Sequence, residues 1–156
     1  DPHSLDRLLH RGVKALLGPQ ARPTLYLVEG QCLYDARTGL GNAPAGLVGG
    51  TFLSGTTQNA ADALHHAWHD AAFDADDPVR LCVPLLVRGV PLGVLAIGRP
   101  DPAAPFTPTE QQLMETLALP LAVCLSQFRL LHSAHWEQRR AALAHEWALA
   151  LATAGS

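Results

Sequence analysis

The sequence predicts an α+β fold in which helices flank a sheet built from hairpins, and three observations lead there. Leu81 to Val87 and Leu92 to Arg99 are apolar on both faces and are joined by the turn Arg88-Gly89-Val90-Pro91, so they belong at the centre of a sheet covered on both sides. Thr107-Pro108-Thr109-Glu110 is a helix start: threonine as cap, proline in the first position, glutamate as capping-box partner. The helix it opens has no clear stop, and Leu113, Leu117, Leu121, Cys124, Phe128 and Leu131 recur along it at spacings of three and four.

Composition bounds what such a fold does. A chain of 156 residues, 48% of them hydrophobic, fits one domain with an appendage and has enough apolar side chains for a core. Net charge is −3 with no basic run, which argues against nucleic acid as a partner. Cys32, Cys82 and Cys124 are far apart and form no CxxC, which suits reduced thiols and a cytoplasmic setting. No apolar run approaches the ~20 residues that span a bilayer, so direct membrane insertion is not expected.

In chain order, Ser4 is a candidate cap for a first helix whose Leu5, Leu8, Leu9, Val13, Leu16 and Leu17 share one face, and Gly18-Pro19 stops it. Thr24 to Val28 and Gln31 to Ala36 read as a hairpin about Glu29-Gly30, with Cys32 and Tyr34 on one face and Leu33 on the other. Residues 37–55, rich in Gly, Pro, Asn and Thr, read as loop with short strands near Leu47–Val48 or Thr51–Leu53. Thr56 or Thr57 would cap a helix from Gln58 to Ala72, with Leu64, Trp68 and Ala71 on one face, ended by Asp74 to Pro78. Pro84 requires a place where its missing N–H does no harm, such as a bulge, and Pro120 should kink the last helix mildly. Beyond Leu131 a shifted stripe of Trp136, Leu143, Trp147 and Leu151 takes over.

These motifs resemble those of GAF domains. The matching residues are Val83-Pro84-Leu85, the turn Gly89, Gly93-Val94-Leu95, and Phe106-Thr107-Pro108-Thr109-Glu110 at the entry to the final helix. The first helix and the hairpin LYLVEGQCLYDA stand in the expected order, so the likeness covers roughly residues 5 to 131. It implies a central antiparallel sheet flanked by helices on both faces, a long C-terminal signalling helix, and a ligand pocket between the sheet and the irregular middle segment. It also implies a regulatory module of the kind found in histidine kinases, cyclic-nucleotide enzymes or transcription regulators, often dimeric through terminal helices. On this reading 1–131 is the GAF-like domain and 132–156 a helical extension toward an output domain, the chain being a piece of a larger signalling protein.

The candidate chemistry is sparse. The 80–99 hairpin would form the floor of the pocket and residues 39–78 its lid, with Phe52, His65, Trp68, His69, Phe73, Arg80 and Cys82 as candidate ligand contacts. On a helix His65 and His69 would lie one turn apart. They read first as a solvated polar face, with a metal site as the alternative, and no glutamate follows His65 as an HExxH hydrolase would need. Asp74, Asp76 and Asp77 read as a solvated turn, since the calcium-loop spacing is missing. Phe73 with Asp77 weakly matches part of the cyclic-nucleotide signature of the family, with Arg80 as the nearest cation. The three cysteines read as small core hydrophobes, and no residue follows them that would mark a bilin attachment. Haem binding has no motif to support it, and no cofactor is assigned. No nucleophile elbow or catalytic carboxylate pair is present, so the domain is expected not to be an enzyme, with a redox enzyme of the free methionine sulfoxide reductase type and a ligand-free dimerisation scaffold as alternatives. Homodimerisation is expected through Leu121, Cys124, Phe128, Leu131, Trp136, Leu143 and Trp147, with fold-back of the tail onto its own domain as the competing arrangement.

Overall fold

In the computed structural model, residues 2–70, 73–74 and 77–154 are described, apart from the side chains of 2–3 and 128–139. Six strands form one antiparallel sheet in the order β3-β2-β1-β6-β5-β4. They are β1 (Arg22–Glu29), β2 (Cys32–Asp35), β3 (Gly41–Asn42), β4 (Gln58–Ala60), β5 (Val79–Val87) and β6 (Val90–Arg99). The helices are α1 (Pro2–Leu17), α2 (Gly46–Ser54) and α3 (Pro108–Ala154).

The strands expected at the centre are there. β5 and β6 pair along their whole length and are flanked by β4 and β1. Their turn has only two residues, Arg88 at φ 52° and Gly89 at φ 78°, the paired positive φ values of a type I′ hairpin. The ladder irregularity falls between Leu85 and Leu86, one residue past Pro84. Pro84 itself is in register with Val94, at a point beyond the end of β4, which covers β5 only from Arg80 to Cys82. The missing N–H therefore faces no partner strand.

Alternation along the strands divides the core in two. Leu25 and Leu27 of β1, Val79, Leu81, Val83 and Leu85 of β5, and Leu95 and Ile97 of β6 face α1 and α3. Tyr26 and Val28, Leu33, Cys82, Val94 and Ala96 face α2. Pro2 precedes Ser4 in α1, so Ser4 lies inside the first turn and does not cap it.

The start of α3 has the expected capping box. Glu110 N–H donates to Thr107 Oγ1 at 3.1 Å, and Thr107 N–H donates to Glu110 Oε1 at 3.0 Å. Arg99 completes the joint, pairing with Glu110, donating to the Leu17 carbonyl at 2.8 Å and lying 4.2 Å over the Phe106 ring. One guanidinium thus ties the end of α1, the end of β6 and the start of α3 together. The helix then runs through Pro120 to Ala154.

Two expectations for the middle of the chain are overturned. Residues 46–54, expected as loop or strand, form α2, which is short, apolar and contains three glycines. Its N-terminus is capped from far along the chain: the Asp74 carboxylate accepts the Leu47 N–H at 3.0 Å and the Asp70 N–H at 2.8 Å. The helix expected over Gln58–Ala72 is absent from 58–70, and Ala71 and Ala72 lie outside the described residues. Gln58–Ala60 instead extends the sheet edge beside Cys82, Leu81 and Arg80. Asn59 fixes that edge by donating to the Phe106 carbonyl at 3.2 Å and to Gln111 Oε1 at 3.0 Å. The available edge of β5 outweighs the helical propensity of an alanine-rich segment.

Candidate functional site

β2 stops at Asp35 while β1 begins at Arg22, so the first half of β1 has an edge with little strand cover. A polar cavity of about 310 Å³ opens there. Thr24, Tyr26 and Arg80 line it from the sheet, Asp6, His10 and Lys14 from α1, Asp35 from the end of β2 and Arg37 from the turn that follows. Arg22 and Asp77 close one side.

The floor is set by register. Arg22, Gly98 and Arg80 stand side by side on β1, β6 and β5. The bare Cα of Gly98 leaves room for the Asp77 carboxylate, which occupies the place a side chain at 98 would need. Asp77 pairs with Arg22 at 3.2 Å. Arg80 is only 4% exposed, and its Nε has no partner among the described residues. Cys82, one pleat along, is fully buried, and burial pushes its thiol pKa up to about 11. Burial likewise raises the Tyr26 phenol to about 12, so it stays a donor, and it donates to the Phe73 carbonyl at 3.3 Å. The Phe73 ring meets Tyr26 edge-on at 5.5 Å.

Of the candidate ligand contacts, Phe73, Arg80 and Cys82 therefore come together on the α2 side of the sheet, and Phe52 packs half-buried against the same cluster. His65 and Trp68 do not join them. His65 is 83% exposed and bonds Asp62 at 2.9 Å. Trp68 lies outside α2, where a Cβ at Gly50 would stand 2.6 Å from its ring, and it lines a shallow apolar recess there. His69 is half-buried, and its Nε2 has no partner among the described residues. With no helix over 58–70, the two histidines are not a one-turn pair, and no group of three potential metal ligands gathers among the described residues.

The reading of Asp74 to Asp77 as a solvated turn is also corrected. Asp74 and Asp77 are buried, one capping α2 and the other pairing with Arg22, while Asp76 lies outside the described residues. Tyr26, Lys14, Asp35 and Arg37 had no motif to reveal them, because strand register and the early end of β2 bring them to the cavity.

Of the residues expected to form a dimer seam, Leu121 is buried in the domain's own core, since it faces α1 and the sheet. Cys124 is exposed beside an apolar groove between α1 and α3. The side chains of Phe128, Leu131 and Trp136 lie outside the described set. Leu143 and Trp147 pack at least partly on their own chain: a Cβ at Gly39 would stand 3.0 Å from Leu143 Cβ, and Arg37 lies 5.7 Å from the Trp147 ring. Arg140 pairs with Glu29 and stacks 4.1 Å over Tyr34. The distal part of α3 thus lies against the β1–β2 hairpin and the turn after it.

Comparison with known proteins agrees with this architecture. The GAF domain family model matches residues 4–125. The chain belongs to the GAF domain family. Among solved structures, the GAF domain of a phosphoenolpyruvate-protein phosphotransferase from Coxiella burnetii superposes with a TM-score of 0.72 at 20% identity, covering 81% of this chain and 83% of that one. A GAF domain/HD domain protein from Geobacter sulfurreducens gives 0.71 at 19% identity, covering 83% and 95%. A type II free methionine-R-sulfoxide reductase from Thermoplasma acidophilum gives 0.70 at 19% identity, covering 81% and 94%. At these identities the likeness shows the fold alone. No curated protein matches the chain. Among the described residues, no helix of this GAF domain is long and apolar enough to cross a membrane.

Proposed function

We propose that this GAF domain is the sensory or regulatory module of a larger cytoplasmic signalling protein, binding a small molecule in the polar cavity and dimerising through its terminal helices. The observation that carries the reading is Arg80, a guanidinium only 4% exposed in the wall of a polar cavity. A buried charge is costly unless polar groups meet it, and an anion in the cavity would add to what the Asp77 carboxylate over the neighbouring Gly98 supplies. Dimerisation rests on the groove between α1 and α3, lined by Leu5, Leu8, Leu16, Leu117, Pro120 and Cys124. Leu8 is 63% and Leu16 51% exposed, and a second copy would cover them.

The enzymatic alternative has less support. Cys32 and Cys82 sit on β2 and β5 with β1 and β6 between them, a separation of roughly 14 Å at ~4.8 Å per strand. They also point to opposite faces, and the Cys82 thiol is held protonated. Native mass spectrometry of the purified domain tests the main reading. A dimer carrying a small molecule is expected, with Leu8→Asp giving a monomer that keeps the ligand. A ligand-free monomer at high concentration, together with thiol-dependent sulfoxide turnover, would establish the enzyme instead.

A further inference from the structure

The turn after β2 touches two parts of the molecule at once. On one side Asp35 and Arg37 line the polar cavity. On the other, Gly39 fits against α3 so closely that a Cβ would stand 2.6 Å from the Arg140 carbonyl oxygen and 2.9 Å from the Ala144 nitrogen. The turn is stiff. Asp35 Oδ1 accepts the N–H of Arg37 at 2.8 Å and of Thr38 at 3.4 Å, and its carbonyl accepts the Gly39 N–H at 2.8 Å. Arg37 belongs to both sides, since it lines the cavity and lies over the Trp147 ring.

The charges of the cavity do not balance. Its lining carries four cations, Lys14, Arg22, Arg37 and Arg80, against the three carboxylates Asp6, Asp35 and Asp77. Lys14, Arg37 and Arg80 have no ion pair among the described residues. Arg80 is the decisive member, because of these three cations it alone is held almost wholly buried in the cavity wall. The guanidinium fork matches an oxyanion with two parallel hydrogen bonds.

The geometry points to a site for a small organic oxyanion, held by Arg80 with Lys14 and Arg37, whose occupancy α3 reads through the 35–39 turn. This rests on the reading of the cavity as the ligand site. Arg37 is claimed by two partners, the exposed Trp147 face and the bound anion. A charge-assisted hydrogen bond in a partly enclosed cavity is stronger than a cation–π contact at an exposed ring. Binding draws Arg37 off Trp147 and loosens the distal part of α3 from the hairpin. Linkage requires the converse, so removing the Trp147 ring must favour the anion.

Carboxylate and phosphate share this chemistry, so the test uses both. Succinate, glycerol 3-phosphate and inorganic phosphate are titrated calorimetrically into the intact 156-residue protein, with succinamide and glycerol as neutral controls. Hydrogen exchange is followed over residues 141–150. At least one anion should bind and neither control should. Arg80→Gln should weaken binding by about tenfold or more. Lys14→Gln, at an exposed position that folding tolerates, should weaken it too. Trp147→Ala should tighten binding about two- to fivefold, the range of an exposed cation–π contact. Exchange over 141–150 should rise on binding, and Arg37→Gln should show that rise without ligand.

Equal binding of the neutral controls would overturn the oxyanion assignment, as would anion binding untouched by both Arg80→Gln and Lys14→Gln. Anion binding with unchanged exchange and an unchanged Trp147→Ala affinity would overturn the coupling. If no probe binds but the native mass spectrum carries a neutral or cationic molecule, the inference falls and the ligand-site reading stands. If no molecule appears by either method, both fall.

Discussion

Leu81 and Cys82 are neighbours on β5, yet they enter different environments. Leu81 faces α1 and α3, two regular helices that press leucines onto a continuous row of branched side chains. Cys82 faces α2, where small residues and loops cover the sheet and a polar cavity opens beside it. The first face is closed by bulk. The second is closed by fit: Gly98 yields space to a carboxylate, Gly50 lies against an indole, and Asp74 caps a helix from 27 residues away. A face filled with large apolar groups has little to offer a ligand, whereas one held by close approach and buried charge has both space and chemistry.

The largest test of this contrast is to truncate both neighbours. Leu81→Ala should cost about 2–5 kcal/mol in urea unfolding, and Cys82→Ala roughly 1 kcal/mol. Equal costs would mean that the two faces are packed alike. Next is the joint that holds α3 on the bulky face. The Arg99 guanidinium, more than the Thr107 bonds, holds the Glu110 carboxyl below its ordinary 4.5. The unfolded chain therefore takes up this proton at a higher pH than the folded one. The stability it contributes is present above 4.5 and is lost as pH falls through the depressed value. Glu110→Gln should lower stability at neutral pH by about 1.5–3 kcal/mol and flatten the acid limb of a stability–pH curve. A mutant curve parallel to wild type would remove the pair from the account.

The last test is on the other face. Gly46 holds φ at +68°, and a Cβ there would run into the Asp74 carboxylate. Gly46→Ala should cost about 1–3 kcal/mol and dislodge the α2 cap. It should weaken ligand binding more than Glu110→Gln does, although its stability cost is no greater. The reverse order in a calorimetric titration would place the site away from the α2 face.

Much of the architecture was legible because its signals are local. The central hairpin is marked by two apolar runs about a glycine, and the start of α3 by a capping box within four residues. α1 shows its buried stripe at helical spacing, and the first hairpin its alternation. These follow from backbone geometry, which reads neighbours a few residues apart.

The middle of the chain could not be read this way. α2 has glycines where a helix disfavours them, and its cap comes from Asp74. β4 exists because β5 offers an edge, and its glutamine, asparagine and alanine say nothing of that. The candidate site was hidden for the same reason. Arg80 and Phe73 were visible as candidates, but Tyr26, Lys14 and Arg37 are brought to them by register and by the early end of β2. The sequence by itself determined the α+β class, the central hairpin and the two long helices, since each is encoded by periodicity and capping within one segment. Only the tertiary structure decided what covers the second face, which charges are buried there and where the distal part of α3 rests. Those are settled by contacts between residues far apart in the chain, whose strength depends on burial and close approach that no local pattern records.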